Sequence, residues 1–239
     1  MTAIRVGPAT AEVALFFFDC DGIIFDVNPA KSAAFDYAVA DYPANARRAL
    51  VEYHQQTGGI SRYAKLRRFF TEMCPVDDVD AAVAKALERF GDFSRRAYDE
   101  LEPREEALEL AAAVGAAERG YVVSGSDESE LRGVFDAKGI ADRFAEILGS
   151  PTDKPTHLRA VMAKRDVSPR QALFIGDGRG DFDCADELGV WFVFLAEMSD
   201  WVDGREVVTE ARDRFAARGV GIAVAETWSE LLGWLSPRP

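Results

Sequence analysis

Two aspartates near the start of the chain are separated by a single residue. Asp19 and Asp21 directly follow an apolar run, and in extended backbone their side chains point to one side while Cys20 points to the other. Two carboxylates this close repel each other unless a cation or a proton lies between them. The pair therefore indicates a place where a cation is bound or where a carboxyl group exchanges a proton.

Further polar residues follow three later apolar runs. They are Ser124 and Gly125, Lys154, and Asp177 and Asp181. Ligands of open parallel sheets bind beyond the carboxyl ends of the strands, so all of these residues are expected at one edge of a sheet. Four ionised aspartates repel one another, and Lys154 cancels only one of their charges. A hard divalent cation resolves the conflict, and an all-oxygen ligand set favours Mg²⁺.

Each of these aspartates could also be explained without any chemistry. Asp is common at helix caps and in turns, and for a single aspartate that explanation is about as good as a functional one. Four aspartates at successive strand ends would require independent coincidences. The sequence therefore favours one metal site that is shared by Asp19, Asp21, Asp177 and Asp181.

The apolar runs predict buried strands that alternate with helices. Residues 13–18 are continuously apolar, as expected of a strand that helices cover on both faces. Similar runs occupy residues 121–123, 172–175, 190–195 and 220–224, and a weaker run covers 144–148. Helical patterns occupy residues 104–118, 127–138, 154–165, 181–188 and 205–218, and a last helix follows Thr227. The alternation predicts an α/β fold with a doubly wound parallel sheet.

Residues 27–103 interrupt this alternation, because they contain no strand pattern. Four helical stretches are indicated there instead. The residues that indicate the four helices are Phe35 and Val39; residues 47–56; Leu66, Phe69, Phe70 and Met73; and Val79, Val83, Leu87 and Phe90. We therefore expect an all-helical domain of residues 27–103, inserted into a core domain made of residues 1–26 and 104–239.

Composition and charge exclude several classes of protein. The chain has 239 residues, of which 48% are hydrophobic, and its net charge is −13. A net anion repels nucleic acids and anionic membranes, so neither is expected as a partner. Three scattered cysteines and two histidines favour neither disulfides nor a zinc site. The early apolar run is too short for a membrane span or a signal segment, and a cytoplasmic protein is expected.

Four motifs, in this order, resemble those of the haloacid dehalogenase-like hydrolase superfamily. Residues 18–26, FDCDGIIFD, are similar to its first motif, D-x-D-G. Ser124 at a strand end resembles the second motif, and Lys154 resembles the third. Residues 176–181, GDGRGD, are similar to the fourth motif, G-D-x-x-x-D. The helical insertion lies where that superfamily carries a small helical cap.

The resemblance implies a phosphatase mechanism. Asp19 would be the nucleophile that attacks a phosphoryl group and forms an aspartyl-phosphate. Asp21 would protonate the leaving alkoxide and then deprotonate the water that releases phosphate. Relatives that cleave carbon–halogen bonds need no acid at the position of Asp21, since halide leaves unprotonated. Asp21 therefore favours phosphoester chemistry.

The resemblance also implies a cofactor and a phosphate-binding set. Mg²⁺ would be held by Asp19, by Asp177 and by the main-chain carbonyl of Asp21, with Asp181 binding it or orienting a water. The phosphoryl oxygens would be bound by Ser124, Gly125 and Lys154. The chain departs from the usual motif at Gly178, where relatives more often have a serine. That difference loosens a local hydrogen bond but keeps the ligand positions.

Two other binding sites fit the fourth motif less well. A dinucleotide-binding pattern would need a glycine at position 181, where Asp181 stands, and Asp177 would face a pyrophosphate of like charge. A calcium-binding loop that begins at Asp177 fails as well, because Arg179 occupies a position that should offer an oxygen. Cys20 is expected to be a buried core thiol.

In the insertion, residues 59–62, GISR, resemble an element in the cap of β-phosphoglucomutase, whose arginine contacts the second anionic group of the substrate. If Ser61 is an N-cap, Arg62 lies in the first helical turn, where a cation opposes the helix dipole and a bound anion would compensate. A solvent-exposed Arg62 explains the segment equally well. Further basic residues are expected on the exposed face of the same helix: Lys65, Arg67 and Arg68.

The sequence thus predicts a Mg²⁺-dependent phosphatase that acts on a small phosphorylated metabolite under a helical cap. Lys31 stands where phosphomutases of the superfamily carry a histidine, which favours hydrolysis. His54 and His157 are expected on helix surfaces. Two alternatives stay open, a β-phosphoglucomutase-like phosphomutase and a catalytically idle fold that serves as a binding module. The sequence identifies neither the substrate nor the oligomeric state.

Overall fold

The computed structural model describes residues 1–58 and 60–235, and these form eight β-strands. The strands are β1 (Thr2–Val6), β2 (Ala9–Val13), β3 (Leu15–Phe18), β4 (Gly120–Asp127), β5 (Glu146–Ser150), β6 (Ala172–Gly176), β7 (Trp191–Leu195) and β8 (Ile222–Ala225). Six of them make one sheet in the order β5-β4-β3-β6-β7-β8, and each neighbouring pair is parallel.

The first strand of this sheet, β3, lies at its centre. From β3 the chain fills one side of the sheet and then returns to fill the other, which is the order of a doubly wound sheet. In β3, Phe16 is paired with Gly120 and Leu15 with Ala172, and the whole strand is buried. The predicted fold class is confirmed, and the end of β3 lies in the middle of the sheet edge.

Between β3 and β4 the described chain is helical. The helices are α1 (Asn28–Ala38), α2 (Ala44–Gln56), α3 (Arg62–Arg68) and α4 (Val79–Glu100), and α3 continues into a π-helix at Phe69–Met73. Their apolar faces pack against one another in a cluster separate from that of the sheet. Phe35, Leu50, Leu66 and Phe90 belong to this cluster. The four helical stretches that the sequence predicts are all present.

The remaining helices flank the sheet. They are α5 (Glu105–Ala113), α6 (Ala116–Arg119), α7 (Glu128–Ala137), α8 (Lys154–Lys164), α9 (Arg179–Leu188), α10 (Gly204–Glu210), α11 (Arg212–Ala216) and α12 (Trp228–Leu235). The pattern at residues 104–118 predicts one helix, but Gly115 adopts a φ of 68° and separates α5 from α6. None of the helices in the described ranges combines the length and apolarity that a bilayer span requires.

A hairpin at the start of the chain was not predicted. β1 and β2 are antiparallel, with Thr2 opposite Val13, and the turn between them contains Gly7 at a φ of 59°. Alternate residues of β1 are buried, among them Ile4 and Val6. Continuous apolar runs predict the strands of the main sheet but not this alternating pattern, and the predicted run of residues 13–18 joins the last residue of β2 to β3.

Candidate active site

Asp19 lies at the carboxyl end of β3. Its amide donates a 2.9 Å hydrogen bond to the carbonyl of Ile175 on β6, which holds the main chain as a continuation of the sheet. Asp19 is buried, and its Oδ1 accepts hydrogen bonds from the amide of Cys20 at 2.7 Å and from Lys154 at 2.8 Å. Within the described ranges Oδ2 accepts none, so this oxygen is available for another partner.

Asp19, Asp177 and Asp181 form an acidic cluster, in which one carboxylate oxygen of each lies within 4.8 Å of the others. Asp177 directly follows β6, and Asp181 lies in the first turn of α9. Lys154, the first residue of α8, contacts Asp181 at 2.5 Å as well as Asp19. The structure therefore brings together four side chains that the sequence places at one edge of the sheet.

Burial and mutual repulsion oppose ionisation of the acidic cluster. Burial, followed by the charge of Asp181, raises the pKa of Asp19 to about 8, although Lys154 acts in the opposite direction. Burial together with Asp19 and Asp181 raises the pKa of Asp177 well above its ordinary value. Lys154 alone does not offset three carboxylates, whereas a bound dication would keep them ionised.

The residues around the acidic cluster fit a hard divalent cation. All its candidate ligand atoms are carboxylate oxygens, which Mg²⁺ prefers. Two glycines keep the main chain close to the carboxylates of the acidic cluster. A Cβ at Gly22, where φ is 80°, would lie 2.2 Å from Asp177 Oδ2, and a Cβ at Gly176 would lie 2.6 Å from the side chain of Asp181. Asn28 donates a 2.8 Å hydrogen bond to Asp177 Oδ2 and orients that carboxylate.

The side chain of Asp21 lies outside the acidic cluster. Its Oδ2 accepts hydrogen bonds from Lys31 and, at 3.1 Å, from Ser126, while its Oδ1 accepts one from Tyr98. Burial opposes ionisation of Asp21, but Lys31 and Tyr98 outweigh it, so its pKa lies below the ordinary value. The carboxylate of Asp21 is engaged by these partners, so the main-chain carbonyl is the predicted metal contact of Asp21 that remains.

The predicted phosphate-binding residues surround the same two aspartates. Ser124 Oγ accepts a 3.1 Å hydrogen bond from the amide of Ser126 and lies 3.4 Å from Asp21 Oδ2. Gly125 lines the cavity beside Asp19 and Asp21. Burial would lower the pKa of Lys154, but its two aspartate partners outweigh this and raise it. Lys154 is therefore a permanent cation beside the nucleophile candidate.

Arg62 is 6% exposed, so the interpretation as a solvent-exposed arginine is wrong. Its Nη1 donates a 2.8 Å hydrogen bond to Glu130 of α7, and the neighbouring Tyr63 donates one of 2.7 Å to Asp127. Ser61 is the N-cap of α3, as predicted. Gly59 of the same motif lies outside the described residues. These contacts join α3 to the helix that follows the phosphate-binding strand end.

Lys65 is 1% exposed, and the prediction of an exposed face for it is wrong. It lies three residues after Arg62 and four before Phe69, so it shares their buried face, whereas Arg67 and Arg68 are exposed. Lys65 Nζ lies 2.9 Å from Nδ1 of His54.

His54 is half-buried rather than on the helix surface, and burial and the charge of Lys65 lower its pKa to about 2. His157 is also half-buried, with its Nε2 2.9 Å from the carbonyl of Gly149.

One cavity connects the sheet edge with the helical insertion. Its lining includes Asp19, Asp21 and Asp177 from the sheet side, and Lys31, Arg62 and Lys65 from the helical side. The carbonyl of Gly58, after α2, accepts a 2.7 Å hydrogen bond from the amide of Gly180 in α9. The insertion therefore covers the strand ends where the acidic cluster lies.

Several residues that hold the aspartates were not predicted. The sequence places Ser126 beside Ser124 and Gly125 at the strand end, and its contact with Asp21 could have been found, because it shares the face of Ser124. The burial of Lys65, which contacts no aspartate, could have been found from its spacing to Arg62. Asn28 and Tyr98 carry no such signal, because their aspartate partners lie 149 and 77 positions away in the chain.

Comparisons with known proteins agree with this geometry. The family model of the haloacid dehalogenase-like hydrolases matches residues 13–189. The chain is similar to a phosphoglycolate phosphatase of Vibrio vulnificus, with 26% identity over 192 residues that cover 74% of this chain and 81% of the relative.

Two solved structures have the same fold. One is described as a predicted phosphoglycolate phosphatase from Haemophilus somnus, with a TM-score of 0.70 and 18% identity over 95% of this chain and 99% of the other. The second is a β-phosphoglucomutase from Clostridium difficile, with a TM-score of 0.63 and 17% identity over 86% and 99% of the two chains.

Proposed function

The chain belongs to the haloacid dehalogenase-like hydrolases, and we propose that it is a Mg²⁺-dependent phosphatase of small phosphomonoesters. The observation that carries the proposal is the acidic cluster of Asp19, Asp177 and Asp181 with Lys154 beside it. Such a site binds a cation and an anionic phosphoryl group next to each other. The curated relative from Vibrio vulnificus, which is named a phosphoglycolate phosphatase, supports the same reaction class.

Asp19 performs the first chemical step as the nucleophile. One carboxylate oxygen attacks phosphorus, the bond from phosphorus to the leaving oxygen breaks, and an aspartyl-phosphate forms. The unpaired Oδ2 of Asp19 is suited to this role, because its Oδ1 is held by Cys20 and Lys154. Water then attacks the same phosphorus, which releases inorganic phosphate and restores Asp19.

Asp21 transfers the proton in both steps. It donates a proton to the leaving oxygen in the first step and accepts one from the attacking water in the second. The ion pair with Lys31 keeps Asp21 ionised, which is the state required of the base. The acid step requires that Asp21 be protonated, so its contact with Lys31 must loosen when substrate enters.

The acidic cluster and the phosphate-binding residues position the phosphoryl group. Asp19, Asp177 and the main-chain carbonyl of Asp21 would hold Mg²⁺, with Asp181 as a direct or water-mediated ligand. When bound, this ion offsets negative charge on the phosphoryl oxygens and on the nucleophile. Phosphoryl oxygens would be bound by Ser124, Gly125 and Lys154.

Residues 27–103 serve as the cap in this proposal. They cover the strand ends through the Gly58–Gly180 hydrogen bond and through the ion pair of Arg62 with Glu130. A cap of this kind excludes bulk water from the aspartyl-phosphate and contacts the part of the substrate beyond the phosphoryl group. The substrate is therefore recognised by residues of the insertion.

Phosphate release from a panel of small phosphomonoesters, with Mg²⁺ and with EDTA, tests the function. We expect Mg²⁺-dependent release by the native chain and none by Asp19→Asn. Phosphoglycolate belongs in the panel because relatives carry that name. Conversion of a hexose 1-phosphate to the 6-phosphate, without release, would indicate a phosphomutase instead. Absence of release from every member, aryl phosphates included, would contradict the proposal and favour an idle binding module.

A further inference from the structure

Lys65 is a buried amine that has no acidic partner. It is 1% exposed, and no carboxylate oxygen of the described residues lies within 4.0 Å of its Nζ. Its hydrogen-bond contacts with the described residues are with His54, at 2.9 Å from Nδ1 and 3.4 Å from the carbonyl oxygen, and its Nζ lies 5.6 Å from the ring centroid of Phe35. A buried ammonium without a counter-charge is costly, so the site is incomplete without an anion.

The groups around Lys65 orient it without neutralising it. His54 is neutral and offers its ring nitrogen as a hydrogen-bond acceptor, and its ring packs on Phe35 with centroids 4.5 Å apart. Burial, Lys31 and Lys154 lower the pKa of Lys65 to about 7, against a smaller opposing effect of Asp21. The amine is therefore fixed in direction by His54, and two further lysines, Lys31 and Lys154, act on its charge.

Lys65 lies in the cavity that contains the catalytic aspartates. The other cations of the helical side are already paired, Lys31 with Asp21 and Arg62 with Glu130. Of the described cations that line the helical side of the cavity, Lys65 is thus the one left without an acidic partner for a molecule whose phosphoryl group is bound at the acidic cluster.

We propose that Lys65, oriented by His54, binds a second acidic group of the substrate, so that the enzyme selects phosphomonoesters that also carry a carboxylate or a second phosphate. This inference rests on the proposed phosphatase function. It assigns substrate selection to a lysine of the insertion rather than to the residues that hold the phosphoryl group.

Three two-carbon substrates test the proposal, because they differ only in the group opposite the phosphate. They are phosphoglycolate with a carboxylate, phosphoglycolamide with a neutral carboxamide, and ethylene glycol bisphosphate with a second phosphate. The native chain should prefer one or both of the acidic substrates in kcat/KM, and their comparison identifies the acidic group. Lys65→Met should lose about 10- to 100-fold on the preferred substrate and little on the carboxamide, since a charge-assisted hydrogen bond is removed.

Two further variants separate recognition from folding. Lys65→Arg keeps the charge and should retain much of the preference, while Lys85→Met removes an exposed cap charge and should change neither substrate. His54→Phe leaves Lys65 in place without its acceptor and should raise KM for the acidic substrate more than it lowers kcat.

Equal kcat/KM for acidic and neutral substrates, or a preference that survives in Lys65→Met, would overturn the subsite and leave the phosphatase function intact. Failure of the native chain to release phosphate from all three substrates and from an aryl phosphate would overturn the phosphatase function itself. If Lys65→Met does not fold, the native preference and the variants Lys65→Arg and His54→Phe decide. The subsite is then overturned if the native chain shows no preference for acidic substrates, or if His54→Phe leaves KM for the acidic substrate unchanged and Lys65→Arg abolishes the preference.

Discussion

Lys31 of α1 and Asp21 at the end of β3 form an ion pair between the helical insertion and the sheet. Ser126 and Tyr98 contact the same carboxylate, so Asp21 is held by three elements at once. Any displacement of α1 changes the partner of Asp21, the group to which we assign the proton transfer. The position of the insertion and the proton state of Asp21 are therefore coupled.

Asp21→Asn removes the proton donor and should slow the reaction most for poor leaving groups. With an alkyl phosphate we expect a loss of about 10²- to 10⁴-fold in kcat, and a smaller loss with p-nitrophenyl phosphate, whose leaving group needs less protonation. Steady-state kinetics on both substrates measures the difference. Equal losses on the two would contradict the assignment of Asp21 as the acid.

Asp19→Asn should abolish turnover and leave the fold intact. The amide cannot form the phosphorylated intermediate, and its loss of charge relieves repulsion with Asp177 and Asp181. In EDTA the midpoint of thermal unfolding should accordingly be no lower than that of the native chain. Circular dichroism and phosphate release on the same sample check both statements. Residual turnover at the native rate would exclude Asp19 as the nucleophile.

Mg²⁺ should stabilise the native chain against thermal unfolding. A ligand that binds only the folded state at 100 times its Kd adds about 2.7 kcal/mol to the free energy of unfolding. Asp177→Asn removes one carboxylate of the acidic cluster and should reduce this effect. Differential scanning fluorimetry with increasing MgCl₂ measures it without substrate. Asp183→Asn, at an exposed residue of α9, is the control and should respond as the native chain does.

Lys65→Met should stabilise the free protein. The unfolded chain holds the Lys65 proton up to its ordinary pKa of 10.5, whereas the folded chain releases it near pH 7. The destabilisation is thus complete below about pH 7 and declines toward pH 10.5, because the unfolded state binds more protons in that window. At neutral pH the variant should gain about 1–3 kcal/mol.

Urea unfolding of the native chain and of Lys65→Met across that pH range measures the effect. The free energy of unfolding of the native chain should rise with pH relative to the variant, and Lys85→Met should follow the native curve. A constant difference between the two curves would show that the pKa of Lys65 is the same in the folded and unfolded states, which would contradict the lowered pKa.

Glu130→Gln should loosen the insertion from the core. Arg62 would be left buried with a weaker partner, at a cost of about 1–3 kcal/mol, and α3 would lose part of its attachment to α7. Amide hydrogen exchange in α3 should accelerate. Glu72→Gln, which affects an exposed pair with Arg68 at the end of the same helical segment, should have no such effect. Unchanged exchange in Glu130→Gln would show that other contacts hold the insertion.

The sheet could be predicted because strands such as β3, buried on both faces, must be continuously apolar. The acidic cluster followed, since parallel strands end at one edge and Asp19 and Asp177 stand at those ends. The pattern of residues along the chain was sufficient to predict both the sheet and the acidic cluster. The hairpin was missed because one of its faces is exposed. Exposed and buried residues therefore alternate along it, and exposed Arg5 lies between buried Ile4 and Val6.

The contacts of Asp21 could not be predicted in the same way. Tyr98 and Lys31 reach it from helices whose placement depends on how the insertion packs, which no periodicity along the chain encodes. The burial of Lys65 was missed for a further reason. A lysine at a helical position is assigned to solvent by its charge, and its burial here follows from the neighbours that share its face.

The hydrogen bond from Gly180 to Gly58 involves main-chain atoms alone. Amino-acid replacements that keep the backbone path therefore do not delete this link. Side chains of α2 and α3 other than Arg62, which pairs with Glu130, can diversify while the insertion stays attached to the strand ends. An engineer who wishes to retarget this scaffold can accordingly randomise the positions around Lys65 other than Arg62 and retain the docking of the two parts.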